Sequence, residues 1–257
     1  MLKIENLNKT FYPGTPEEHR IFKDFSLEIE ANVCTTILGP NGCGKSTLFN
    51  LISGSIESDS GSINLNGNEI NKLPEEKRAS YIGKVNQDPS KGVSPSLNIL
   101  ENMSIALKKG EKFTFKKLIK NNNVNMIVEK LKELDLGLED KLTTQVKFLS
   151  GGQRQSLSLL MSTIKRPDLL LLDEHTAALD PKTSKLIMDK TVDLINREKI
   201  TTLMITHNLR HAIQYSKRII MLNKGEIVLD VQSEDITEDE LTKFYNERIL
   251  ESLKLVS

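Results

Sequence analysis

The sequence predicts an α/β fold with a mostly parallel sheet at its core, an antiparallel β subdomain and an inserted helical subdomain. Three observations predict this arrangement. Two β-rich segments, residues 33–38 and 169–172, are each followed by a loop and a stretch of helical periodicity. Alternating polar and apolar residues near the N-terminus are typical of half-exposed antiparallel strands. Between residues 88 and 155 strand signals fade and helical periodicity takes over.

The predicted antiparallel subdomain comes from the first part of the chain. Residues 2–7 and 25–30 alternate, and each segment predicts a strand with one solvated face. Residues 62–66 form a short β-type run between Gly61 and Gly67, which predicts a hairpin.

The rest of the core alternates strands and helices. A strand over 169–172, a helical stretch over 181–197 and a strand over 201–205 give an order that predicts parallel strands. Residues 218–222 and 227–231 predict a final hairpin.

A terminal helix is expected over residues 237–255. We expect residues 1–257 to form one domain, in which 1–87 and 156–257 make the core with its β subdomain and 88–155 make the helical subdomain.

Composition limits the class of protein. The chain has 257 residues, 38% of them hydrophobic, which suits a globular protein with a sizeable core. Its 35 Lys and Arg balance 35 Asp and Glu, and a net charge of zero argues against a nucleic-acid partner. Two cysteines, Cys34 and Cys43, are too few for a disulfide framework and fit a reducing compartment. The sequence lacks a signal peptide and any apolar run near the roughly 20 residues of a spanning helix, so we expect a membrane role only through a partner.

A glycine-rich loop follows the segment 33–38 and leads into a helical stretch. Glycines let such a loop fold tightly, so that several N–H groups point at bound phosphates, and the helix N-terminus adds partial positive charge. Lys45 is expected to neutralise phosphate oxygens, and the Ser46 hydroxyl to ligate Mg²⁺. The motif makes the predicted core a P-loop (RecA-like) core. Its residues are Gly39, Pro40, Asn41, Gly42, Cys43, Gly44, Lys45, Ser46 and Thr47.

Two acids, Asp173 and Glu174, follow the apolar segment 169–172. Ligands of open α/β sheets bind at this end of the strands, and a carboxylate beside apolar residues loses hydration that a metal ion offsets. Asp173 is therefore the candidate for Mg²⁺, and Glu174 for the base that activates water. The alternative is that both acids cap the helix that follows.

A third motif consists of Leu149 followed by Ser150, Gly151, Gly152 and Gln153. Serine and glycines at a helix N-terminus form a second anion site. A serine-capped helix start would explain Ser150 alone. The motif lies roughly 20 residues before the strand that ends in the two acids, and in this order it resembles the signature of the ABC ATPase family. The resemblance implies that two copies form a head-to-tail dimer, with two ATP molecules at the interface.

Further positions are similar to this family in the same order along the chain. Gln87 resembles the glutamine that senses Mg²⁺ and the γ-phosphate, and His207 the histidine that contacts the γ-phosphate. Asp180 resembles the aspartate that signals across the dimer. Phe11 resembles the aromatic residue that stacks on adenine, with neighbouring Tyr12 as a less favoured candidate; Phe11 could also be ordinary core.

The resemblance implies an ATP- and Mg²⁺-dependent ATPase that drives a membrane transporter. Glu174, His207 and Gln87 would position and activate water. The implied partners are membrane permease subunits, a second copy of the chain and, indirectly, an extracellular solute-binding protein. The implied location is the cytoplasmic face of the cell membrane, with residues 88–103 as the candidate permease contact.

A narrower resemblance concerns the transported solute. Residues 9–15, 173–183 and 203–208 resemble ATPases of importers for aromatic amino acids. An importer of small solutes such as amino acids is therefore expected, and a soluble ABC ATPase of iron–sulfur cluster assembly is the alternative.

Two residues depart from the family pattern, and a third, Cys43, has a predicted property of its own. His175 stands where proline is usual, and it would be either a titrating group near the site or a tolerated surface substitution. Asn86 stands where an aromatic residue is frequent. Cys43, among inward N–H groups and beside Lys45, is expected to favour the thiolate; a small side chain that fills the loop is the alternative.

Overall fold

The computed structural model describes residues 1–111, 118–119 and 121–254, without the side chains of residues 121–122 and 249–254. The strands are β1 (Leu2–Phe11), β2 (His19–Ile29), β3 (Cys34–Leu38), β4 (Ser60–Leu65), β5 (Asn68–Glu69), β6 (Ile82–Val85), β7 (Leu169–Asp173), β8 (Thr201–Ile205), β9 (Arg218–Asn223) and β10 (Glu226–Gln232). The helices are α1 (Lys45–Ser53), α2 (Glu75–Arg78), α3 (Ile99–Ala106), α4 (Asn121–Lys132), α5 (Gly151–Thr163), α6 (Pro181–Glu198), α7 (Leu209–Tyr215) and α8 (Glu238–Lys254).

The smaller sheet is antiparallel and has the order β2-β1-β4-β5. Along β1, Leu2, Ile4 and Leu7 are buried, and they pack into the same hydrophobic cluster as residues of α1. This sheet confirms the predicted antiparallel subdomain, including the hairpin between β4 and β5.

The larger sheet has the order β10-β9-β3-β8-β7-β6. Its pairs are parallel, except for the predicted hairpin between β9 and β10. Strand β8 is buried along its whole length, as expected for a strand covered on both faces. The mostly parallel core is therefore confirmed, and its strands β3, β7 and β8 end at one edge.

The helical subdomain has a core of its own. Ile99 and Met103 of α3, Ile127 of α4 and Leu157 of α5 belong to one buried cluster. Helix α5 continues to Thr163 and so passes through the predicted boundary at residue 155. It therefore joins the helical subdomain to the sheet.

The C-terminal helix was predicted over residues 237–255, and α8 covers Glu238–Lys254. Its expected last residue, Leu255, lies outside the described residues. No helix in the described ranges combines the length and apolar character needed to cross a membrane.

Candidate functional site

The glycine-rich loop connects β3 to α1 and depends on two glycines for its path. Gly39 has φ +146°, and a Cβ there would overlap the carbonyl oxygen of Leu222 on β9. Gly44 has φ +111°, and a Cβ there would lie 2.9 Å from the ring of Phe22. Because Gly44 is the N-cap of α1 and has no side chain to cap it, the first N–H groups of this helix remain available to an anion.

Lys45 is folded back into this loop. Its Nζ donates to the carbonyl oxygens of Gly39 at 2.6 Å and Pro40 at 2.9 Å, and the residue is only 6% exposed. The next residue, Ser46, is exposed on the first turn of α1. The loop therefore holds one cation and a set of N–H donors in place for phosphate oxygens.

Asp173 ends β7 and lies level with Ile205 of β8. Burial raises the pKa of the Asp173 carboxyl, and the charge of Glu174 raises it further, while Lys84, Lys45 and Lys91 act against them. A divalent cation would favour the ionised form in the same way as these lysines do.

The donor set fits Mg²⁺. In the described part of the chain, no group of three His, Cys, Asp or Glu side chains converges as a metal site. A magnesium site here would depend on the oxygens of Ser46, Asp173 and Gln87 together with those of a bound nucleotide. Hydroxyl, carboxylate and amide oxygens are the hard ligands that Mg²⁺ prefers.

Glu174 and His207 form the closest acid–base pair of the site. The Nε2 atom of His207 lies 2.6 Å from Oε1 of Glu174, and the two side chains are 41% and 14% exposed, respectively. Glu174 has φ 45°, in the left-handed region, and its N–H donates to Ile205 at 3.0 Å. This backbone conformation costs about 1–2 kcal/mol in a residue with a Cβ, and such strain clusters at functional sites. The pair can hold a water molecule and take up its proton.

The Ser-Gly-Gly-Gln motif lies at the start of α5. Contacts within the chain account for the residue types at three of its positions. Ser150 Oγ accepts from the Gln153 N–H at 3.2 Å, and Gln153 Oε1 accepts from the Ser150 N–H at 3.1 Å. A Cβ on Gly152 would lie 2.5 Å from Thr183 Cγ2, so this glycine lets α5 approach α6 closely. Ser150 itself is exposed, so the motif is open to a ligand from outside the chain.

The remaining predicted residues, Gln87, Asp180 and Phe11, lie on three different elements of the structure. Gln87 is exposed two residues after β6. The Asp180 carboxylate caps α6 and accepts from the Thr183 N–H at 3.1 Å. Phe11 is half-buried, with Lys9 Nζ 5.3 Å from its ring centroid, while Tyr12 is 64% exposed. Their roles stay predictions.

The interpretation of His175 as a tolerated surface substitution is wrong. His175 is only 3% exposed, so it is not a surface substitution. Burial, with a smaller contribution from the charge of His211, lowers its pKa to about 4, so it stays neutral near pH 7. The Thr191 hydroxyl donates to Ile187 and therefore accepts from His175 Nε2, at 3.3 Å.

The expected Cys43 thiolate is also wrong. Cys43 is 3% exposed, and burial raises the pKa of its thiol although Lys45 acts in the opposite direction. A Cβ on Gly39 would lie 2.7 Å from the Cys43 sulfur, which shows that the sulfur packs beneath the loop. The alternative of a small side chain that fills the loop agrees with these contacts.

Two features of the site were missed from the sequence. The charge of Lys84, on β6, lowers the pKa of the Asp173 carboxyl, and the sequence analysis does not name this residue. A lysine within a short buried strand is a signal from which it could have been found. A cleft of about 480 Å³ lies beside the glycine-rich loop and is lined by His19, Arg20, Asn41 and Lys224, among others.

Comparison with known proteins identifies the family. A family model described as ABC transporter matches residues 22–177. The chain belongs to the ABC transporter family. The tyrosine transport ATP-binding protein of Clostridioides difficile is 48% identical over 246 residues, which cover 94% of this chain and 97% of that protein. The phosphonates import ATP-binding protein PhnC 1 of a Ruegeria species is 33% identical, with 95% of this chain and 94% of that protein covered.

A solved structure agrees with this assignment. The ATP-binding cassette MJ0796, a dimer in a post-hydrolysis state with ADP and Pi, matches with a TM-score of 0.77 and 28% identity. The match covers 91% of this chain and 99% of that one. This ABC family member is therefore an ATP-hydrolysing enzyme with the fold of an ABC cassette.

Proposed function

We propose that this ABC ATPase drives a membrane importer of small solutes, with an aromatic amino acid such as tyrosine as the substrate. The observation that carries this proposal is the 48% identity to a tyrosine transport ATP-binding protein over nearly the whole length of both chains. Relatives named for phosphonate and for spermidine and putrescine import also support an importer, although this chain spans only 61% of the latter.

The triphosphate of ATP would lie on the phosphate-binding loop. Lys45 and the uncapped first turn of α1 supply positive charge and N–H donors there. The cleft beside the loop would hold the nucleoside side of ATP, and the cationic Arg20 and Lys224 in its lining would attract the phosphates. Phe11 remains the proposed stacking partner of adenine, with the exposed Tyr12 as the alternative.

Ser46, Asp173 and Gln87 would hold Mg²⁺, which would neutralise charge on the phosphate oxygens. Glu174 would accept the proton of the attacking water, while the 2.6 Å contact to His207 fixes its orientation. In this class of reaction, the protein contributes mainly positioning and charge stabilisation.

A second copy of the chain would complete each site. Ser150, Gly151, Gly152 and Gln153 would face the γ-phosphate held by the partner, and Asp180 would lie in the same interface. The exposure of Ser150 at the start of α5 and the dimeric state of the solved relative support this arrangement.

Permease subunits would bind between the sheet and the helical subdomain. A cleft of about 330 Å³ there is lined by Gly92, Ile105, Ala106 and Met161, among others, and Ile105 is 43% exposed. This cleft adjoins the predicted contact at residues 88–103. The chain would therefore act at the cytoplasmic face of the cell membrane, with an extracellular solute-binding protein as an indirect partner and without nucleic acid.

Purification from native membranes tests the proposal. The importer subunit should co-purify with a polytopic permease, and tyrosine with its binding protein should stimulate ATP hydrolysis by the reconstituted complex. A Glu174→Gln complex is the matched control and should not respond. Recovery only in the soluble fraction, bound to cluster-assembly scaffolds, would favour the iron–sulfur alternative.

A further inference from the structure

The strand β6 places a lysine beside the acids of the nucleotide site. Lys84 lies level with Leu171 of β7, so the two side chains point to the same face of the sheet. Asp173 follows Leu171 by two residues and shares that face. Strand geometry puts the Lys84 and Asp173 side chains on the order of 8 Å apart at their origins.

Helix α1 covers this face of the sheet. Leu171 packs in one buried cluster with Leu48 and Phe49 of α1. The ammonium of Lys84 donates to Asn50 Oδ1 at 2.9 Å. Asn50 follows Ser46 by four residues, so both lie on one side of the helix. The ammonium is therefore held at the side of α1 that also carries Ser46, and Lys84 itself lies in the lining of the cleft between the sheet and the helical subdomain.

The partner of this lysine is a neutral amide, so its charge is not cancelled by that contact. Burial lowers the pKa of Lys84, whereas the charges of Asp173 and Glu75 raise it. Because the group is half-buried and near Asp173, its field on the site is screened less than that of a surface lysine.

We infer that Lys84 is a positioning residue that couples metal binding to ATP binding at this site. A fixed ammonium beside Asp173 repels a divalent cation and attracts the highly charged free triphosphate. Mg²⁺ is therefore taken up with the nucleotide rather than ahead of it, and metal-free ATP is bound more tightly than it would be without Lys84.

The inference rests on the proposed nucleotide site, and it is tested by binding rather than by turnover. ATP affinity is measured by calorimetry with Mg²⁺ and with EDTA, in a Glu174→Gln background that prevents hydrolysis. The quantity compared is the ratio of the affinity with Mg²⁺ to the affinity without it. Lys84→Met should raise this ratio by about threefold or more, since it removes repulsion of the metal and attraction of metal-free ATP.

Two further variants separate charge from structure. Lys84→Gln keeps a donor for Asn50 but no charge, and it should raise the ratio as Lys84→Met does. Lys84→Arg keeps the charge and should preserve the ratio. Lys72→Met, at a position with an 82% exposed side chain, is the matched control and should leave the ratio unchanged.

A purely structural lysine would change both affinities together and leave the ratio as it was. An unchanged or lower ratio in Lys84→Gln, with ATP still bound, would overturn the inference about Lys84 alone. Failure of the Glu174→Gln chain itself to bind ATP would overturn both this inference and the proposed nucleotide site.

Discussion

The carboxylate of Glu174 and the imidazole of His207 are 2.6 Å apart at the ends of two neighbouring parallel strands. The backbone places the two side chains differently. Glu174 has a left-handed conformation, whereas His207 lies two residues after the end of β8. The contact fixes the orientation of the carboxylate. It makes Glu174 the residue whose removal is most informative about hydrolysis.

Glu174→Gln should retain ATP binding and slow hydrolysis by about 10²-fold or more, as for a lost general base. The substitution keeps the shape of the side chain and its contact to His207, so folding should be unaffected. Single-turnover hydrolysis and size-exclusion chromatography with ATP are the measurements, and the variant should accumulate as a dimer. Wild-type turnover would show that another group accepts the proton.

Lys45→Ala should weaken ATP binding by about tenfold or more, because a charge-assisted hydrogen bond contributes about 1.5–3 kcal/mol. The loop carbonyl oxygens of Gly39 and Pro40 would also lose their donor. Titration of the variant with ATP, beside the exposed control Lys72→Ala, measures the effect. Equal affinity in both variants would contradict the phosphate-binding role of the loop.

Gly152→Ala should lower the free energy of unfolding by about 1–3 kcal/mol, since the new Cβ would lie 2.5 Å from Thr183 Cγ2. Alanine favours a helix over glycine by up to about 1 kcal/mol, which offsets only part of this overlap. Urea unfolding measures the loss.

Adding Thr183→Ser removes Cγ2 and should restore most of the stability. The double variant therefore separates packing from function. If it is stable but forms no ATP-dependent dimer, Gly152 is also needed for the partner's nucleotide. A single Gly152→Ala variant as stable as the parent would contradict the packing role.

The sequence predicts those parts of the site whose residues are neighbours along the chain. The sequence predicts the glycine-rich loop between a strand and a helix, and the acids at the end of a buried strand, where the structure has them. Contacts between distant residues were not predictable in this way. Lys84 meets Asn50, 34 positions away, and His175 is buried against Thr191 of α6.

Sequence patterns also could not show whether the pKa of a buried group is raised or lowered in the fold. Cys43 is next to inward N–H groups and Lys45, which favour a thiolate. Burial outweighs them and raises the pKa of the thiol, because desolvation penalises the charged form. The degree of burial depends on how Gly39 and its neighbours pack, which is a property of the fold.

His175 should make stability depend on pH below neutrality. Its pKa is about 4 in the folded chain, against an ordinary value near 6.5, because burial disfavours the imidazolium. Between these values the unfolded chain binds the proton more readily than the folded chain, so stability falls as pH is lowered through this window. A shift of this size corresponds to about 3 kcal/mol at the acid end.

His175→Gln removes this titration while keeping an Nε2 donor for Thr191. Urea unfolding of both proteins at several pH values between about 7.5 and about 4.5 measures the contribution of His175 together with its coupling to His211, since the other titrating groups are common to both. The parent should lose more stability than the variant as pH falls. Parallel curves would contradict the lowered pKa of His175 in the folded chain.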